Sequence, residues 1–185
     1  MADREPPSMP EADPAPVRAR HVICEPRARA ALLRDLAERP RIEACGLVLG
    51  RCEGGAWVAE DTVPLRNAAN RSDYFEFAPE DLVRHDLEHG DRIIGAYHSH
   101  PGGPNRPSTI DVGNMRALTE SPWIWLIASP RGATPLGVPP GGSWRAAGIA
   151  AFRVEGGQLV EFPVDVAPET PAERPPEPPA DAPPA

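Results

Sequence analysis

Two rhythms run along this chain: short apolar runs that read as strands, and 3.6-residue stripes that read as helices. Residues 17–23 alternate well enough for a first strand. Pro26 opens a helix whose stripe is Ala30, Leu32, Leu33, Leu36 and Ala37, and Pro40 stops it. Residues 42–50 form an apolar run that reads as a buried strand, yet it begins with Glu43, a carboxylate with no structural reason to be there. Gly54-Gly55 turns the chain into a partner strand over 56–64. Residues 65–73 are a polar loop, 74–77 are strand-like, and Pro79 leads a helix over 81–89 that Gly90 closes. Ile93-Ile94-Gly95-Ala96-Tyr97 reads as a buried strand, followed by a Gly/Pro-rich turn and a helix from about 108 to 119. A buried strand over 122–129, a Gly/Pro-rich loop over 131–143, and a hairpin of 147–154 with 159–164 around Gly156-Gly157 complete the pattern. This alternation predicts an α/β fold, a mixed β-sheet sandwiched by helices.

Composition places boundaries on that pattern. Of the 26 prolines, five fall in residues 1–16 and eight in 168–185. Both stretches are poor in large apolar residues, so 1–16 and 167–185 are expected to be disordered acidic tails around one folded domain, 17–166. Each tail carries a net charge of −3, which leaves the domain near −2 of the total −8. A nearly neutral, slightly acidic domain argues against nucleic acid as a partner. All basic residues are arginine, which together with the Ala, Pro and Gly content suggests a bacterial, GC-rich coding sequence. No apolar run approaches the ~20 residues of a membrane span. Three cysteines without CxxC spacing indicate neither a disulfide framework nor a cysteine zinc site, and a reducing cytoplasm fits best.

The chemistry concentrates after the 93–97 strand. Residues two apart on a strand share a face, so His98 and His100 aim into one space. The turn then brings Ser108 and Asp111 to a helix start. Two His and one carboxylate leave one position open on a tetrahedral zinc, the arrangement of a catalytic site. Each residue also has a plainer role: Ser108 with Asp111 three residues on resembles a capping box, and a single buried His is commonly a core residue. The conjunction favours the metal.

These residues, His98-Ser99-His100-Pro101 with Ser108 and Asp111 in H-x-H-x7-S-x2-D spacing and the upstream run Glu43–Gly50, resemble the JAMM (MPN+) zinc isopeptidases, and in particular their small bacterial members. The resemblance spans roughly residues 20–165. It implies a JAMM/MPN, cytidine-deaminase-like architecture with one Zn2+ per chain held by His98, His100 and Asp111. It implies Glu43 as general base and then acid, and Ser108 as the hydroxyl donor to the oxyanion. The implied reaction is hydrolysis after the C-terminal Gly-Gly of a ubiquitin-like sulfur-carrier protein, in some members releasing cysteine. Asn67 and Tyr74 are candidate walls of the substrate groove, and a homodimer is open. The alternative is a non-catalytic scaffold of the same fold.

Other signals are weaker. His85-Asp86-Leu87-Glu88-His89 spells the H-x-x-E-H string of another zinc hydrolase class, but the helix ends at Gly90 and both His lie off the Leu82/Val83/Leu87 stripe. Cys45 beside Glu43 reads as a small packed residue rather than a nucleophile. Ser99 points away from the two His and is expected to be structural. Trp123 and Trp125 share a strand face and belong to the core or an interface.

Overall fold

A computed structural model describes residues 21–117, 123–131 and 148–167. The expected tail at 1–16, all but the first residue of the one at 167–185, and all but the first residue of the 131–143 loop lie outside them. The elements run β1 (His21–Cys24), α1 (Pro26–Glu38), β2 (Cys45–Glu53), β3 (Ala56–Leu65), α2 (Pro79–His89), a 3-10 turn (Gly90–Arg92), β4 (Ile93–Ser99), α3 (Thr109–Ala117), β5 (Ile124–Ser129), β6 (Gly148–Glu155), β7 (Gln158–Phe162) and β8 (Val164–Val166). The described strands form one sheet in the order β7-β6-β5-β4-β2-β3-β1-β8. Pairs β1–β3, β1–β8 and β4–β5 are parallel and the others antiparallel, the mixed sheet that the alternation predicts.

Strand periodicity sorts the core onto two faces. On one, Val48, Tyr97, Ile124 and Leu126 pack under Ala28, Leu32 and Leu36 of α1. On the other, Cys45, Ala96, Trp125 and Ile127 pack with Met115 of α3, and Leu47, Leu49 and Ile93 meet Leu82 of α2. Helices thus cover both faces, and the sandwich is as expected.

Local details depart from the sequence reading where a polar group finds a partner. Ala30 and Ala37 are exposed on α1, and Asp35 takes an inward position beside Leu36. Its carboxylate is satisfied there by the Arg39 guanidinium and by the Tyr97 hydroxyl, which donates at 2.7 Å. Val83 and Leu87 are exposed rather than part of a buried stripe, because α2 touches the sheet through Leu82. Residues 74–77 form no strand; Phe77 makes a single bridge to Asn67. The run over 159–164 breaks at Pro163, which has no N–H for a ladder; its carbonyl accepts from Val22 at 2.8 Å, and Val164–Val166 becomes the separate strand β8 beside β1.

Candidate metal centre

The centre is built where β4 ends and β2 begins, adjacent because the two strands are antiparallel with Cys45 opposite His98. His98 is fully buried on the face that α3 covers. His100 lies one residue past β4 but keeps strand geometry, since its N–H donates to the Ala128 carbonyl at 2.9 Å. The imidazoles therefore share a face as their spacing requires, with Nε2 atoms 3.1 Å apart.

The turn after them is pinned twice. Pro104 accepts from His100 Nδ1 at 2.8 Å, and Gly103 accepts from the Ser129 hydroxyl at 2.5 Å. The chain then enters α3 through a reciprocal cap: Ser108 N–H donates to Asp111 Oδ2 at 2.6 Å, and Asp111 N–H donates to Ser108 Oγ at 3.2 Å. The capping reading holds, and the same cap aims Asp111 at the histidines. Its oxygens stand 3.4 Å from His98 Nε2 and 3.4 Å from His100 Nε2.

Glu43 comes from the other side. It precedes β2 rather than opening it as expected, and its Oε1 lies 3.8 Å from His100 Nε2. Its backbone is clamped on three sides. Glu43 N–H donates to Arg71 O at 2.7 Å, Asn67 Nδ2 donates to Glu43 O at 2.9 Å, and Ala44 N–H donates to the Ser99 hydroxyl at 2.9 Å. Ser99 thus has the structural role expected of it. Asn67 is buried, its amide donates to Glu43 O and Tyr74 O, and its oxygen accepts from Ala69, Asn70 and Glu76 N–H groups. That use engages both donors and the acceptor and makes Asn67 a clamp on the Glu43 segment. Tyr74 is half-buried, next to Phe75, whose ring stacks on His98 at 4.5 Å.

Burial sets the charges. It drives the His98 pKa below the ordinary imidazole value, against the pull of Asp111, so this ring is neutral at pH 7. Burial also lowers His100, but hydrogen bonds to Asp111 and Pro104 outweigh it and leave the pKa raised. Burial raises Asp111, and the hydrogen bonds from His100, His98 and Ser108 overcome it, holding the carboxylate ionised well below its usual range. Glu43 is pushed up to about 7, chiefly by burial, with His100 opposing and Asp111 and Asp73 adding to the rise. A carboxyl near 7 is suited to take and return a proton at neutral pH. Cys45, raised by burial to about 12, is no nucleophile.

The residues fit a zinc ion. His100 Nδ1 bonds a carbonyl, which fixes the ring with Nε2 turned toward His98 Nε2 and Asp111; the hydrogen bonds that both imidazoles make to Asp111 would give way to a metal ion as the Nε2 protons leave. Ligand atoms on a tetrahedral zinc with bonds of ~2.0–2.1 Å stand roughly 3.3 Å apart, and the three separations here bracket that value. His98, His100 and Asp111 form a buried group able to hold a metal ion. A second group, His85, Glu88 and His89, lies on α2.

Residues 25–146 match the family described as prokaryotic homologs of the JAB domain. The chain belongs to this family. Among curated proteins, this JAB-domain chain is 28% identical over 136 residues to COP9 signalosome complex subunit 5 of Oryza sativa subsp. japonica, a match covering 69% of the chain. It spans only 34% of that relative's length. Among solved structures, protein DSY2949 from Desulfitobacterium hafniense superposes with a TM-score of 0.60 at 24% identity, covering 80% of this chain and 94% of that one. The likeness supports the fold. Among the described residues, no helix is long and apolar enough to cross a membrane.

Proposed function

We propose that this JAB-domain protein is a zinc-dependent peptidase that cleaves the bond following the C-terminal Gly-Gly of a ubiquitin-like sulfur-carrier protein. The observation that carries the hydrolase reading is Glu43, held by its backbone 3.8 Å from His100, beside but outside the three ligands. A ligand set alone binds metal; a separate, buried, proton-exchanging carboxyl next to it gives a reason for the open fourth position.

Zinc held by His98, His100 and Asp111 supplies Lewis acidity, which draws the pKa of a water from roughly 16 toward ~7. Glu43 takes the proton from the attacking water and returns it to the leaving amine. Ser108 is exposed at the mouth of the site, and its oxygen uses a lone pair to accept from Asp111 N–H at 3.2 Å. The Ser108 hydroxyl, which also bonds the Asp111 carboxylate, would turn from it to donate to the oxyanion of the tetrahedral intermediate. The neutral, buried imidazole of His98 keeps its ligand form without competition from protonation at pH 7.

The substrate part of the proposal rests on the resemblance of the motif to small bacterial isopeptidases. A Gly-Gly terminus lacks side chains to read, so backbone pairing would supply its affinity, and Tyr74 stands as a wall beside Phe75. Zinc content measured alongside cleavage of a carrier–peptide fusion tests the whole reading. Wild type is expected to bind zinc and cleave after Gly-Gly. Glu43→Gln should keep the zinc and lose turnover; a fully active variant would remove Glu43 from the mechanism.

A further inference from the structure

We propose that His85, Glu88 and His89 form a second divalent-metal site at the C-terminal end of α2, suited to a borderline ion of the zinc class. It does not depend on the hydrolase reading. Residues three and four apart lie on one helix face, so the three side chains converge without help from any other element. Their ligand atoms all fall within 4.8 Å of one another. His85 Nδ1 is 3.5 Å and His89 Nε2 3.9 Å from Glu88 Oε2, and the rings are parallel to within 3° at 5.6 Å.

Three independent features point toward a cation. His85 Nδ1 is buried and has no hydrogen-bond partner among the described residues, the state of a donor atom whose ligand is missing. The imidazoles are mostly covered, with side-chain exposures of 15% and 19%, so their rotamers are held while Glu88 remains reachable from solvent. Gly90, with φ of 44°, ends the helix next to His89, and the carbonyl end of a helix favours positive charge. Two imidazoles and a carboxylate are a zinc-type donor set.

Arg84 stands in the way and defines the test. Its Nη2 lies 3.2 Å from His85 Nε2, and since guanidinium only donates, that nitrogen accepts and the ring proton sits on Nδ1. Metal binding at Nδ1 requires that proton to pass through solvent to Nε2, keeping the ring neutral, while Arg84 turns to Asp81, to which it already donates at 3.0 Å. Arg84 is 62% exposed and free to move. Its removal should therefore tighten the site several-fold.

Equilibrium dialysis of the full chain against Zn2+ alone, with elemental analysis, decides the matter. Wild type should hold two equivalents, His89→Gln one and His98→Gln one, with Arg84→Ala binding the α2 equivalent more tightly. Long-range proton–nitrogen spectra should show the His85 and His89 ring nitrogens shifting on zinc addition. If the buried centre takes no zinc, wild type holds one equivalent that His89→Gln abolishes and His98→Gln spares, and the inference still stands. Equal stoichiometry in wild type and His89→Gln, or unmoved His85 and His89 resonances, would overturn it.

Discussion

His98, His100 and Asp111 come from a strand, the residue beyond it and the first turn of a helix across a pinned loop, whereas His85, Glu88 and His89 sit within about one turn of a single helix. The residue types are nearly the same. The buried group needs sheet register, two turn hydrogen bonds and a helix cap before its ligands meet, and it ends in a site with a proton-exchanging carboxyl beside it. The α2 group needs only helix formation; no described acid or base outside the trio is placed against it, and Arg84 competes for one ring. Assembly across elements provides burial, electrostatic tuning and room for a neighbour; local assembly provides a chelate and nothing more.

The most drastic way to separate the two is Asp111→Ala. It leaves two buried imidazole nitrogens facing one another at 3.1 Å, with only Glu43, 3.8 Å from His100, to compensate. Zinc at the buried centre and peptide hydrolysis should fall to background, while the α2 group keeps its equivalent in the same dialysis. Glu43→Gln should cut kcat by ~10²–10⁴ with metal content unchanged, the size of a lost general base. Ser108→Ala removes the proposed oxyanion donor and the α3 cap together, and kcat should drop ~10²–10³ with a stability loss of about 1 kcal/mol in urea melts. Asn67→Ala strips the clamp from the Glu43 segment and leaves the buried Glu43 carbonyl without its amide donor, a loss of ~1–3 kcal/mol; turnover should fall while zinc content stays at the wild-type value.

The smallest effect is a pH slope. Glu43 in the folded, metal-free chain binds its proton more tightly than in the unfolded chain, with its pKa raised from 4.5 to about 7. Its contribution to stability is therefore full below about 4.5 and lost as pH rises through about 7. Asp111, held low, acts in the opposite sense: its contribution is present above the ordinary carboxylate range and lost as pH falls below it. The difference in Tm between metal-free wild type and Glu43→Gln, followed from pH 4.5 to 7, isolates the Glu43 part. A flat difference would mean that Glu43 is not buried as described.

The sheet and the grouping of His98, His100 and Asp111 were legible because period-two spacing, a Gly/Pro turn and a Ser–Asp cap are local signals with fixed geometric meaning. Glu43 was legible as an anomaly, a charge at the head of an apolar run, although the strand starts after it. What escaped was set by tertiary partners. Asp35 sits inward because Tyr97 and Arg39 are there to meet it, and nothing in the spacing of α1 names them. Asn67 serves five backbone groups that come together only once the 65–77 segment folds over Glu43. The α2 stripe misled for the converse reason: Val83 and Leu87 are apolar but find no surface to cover among the described residues. With packing gone from that face, the polar side of the helix became the more informative one.

The pairing of Cys45 with His98 carries one more consequence. A slip of one residue between β2 and β4 would turn His98 toward the α1 face and displace Glu43 from it. Gly46 limits that freedom, since a side chain there would strike the Tyr97 ring and the Val63 carbonyl. Misaligned molecules would thus be unable to load the buried ion. On the proposed zinc reading, the fraction of a preparation that takes up the ion at this centre would be a head-count of correctly folded chains, obtainable without a substrate.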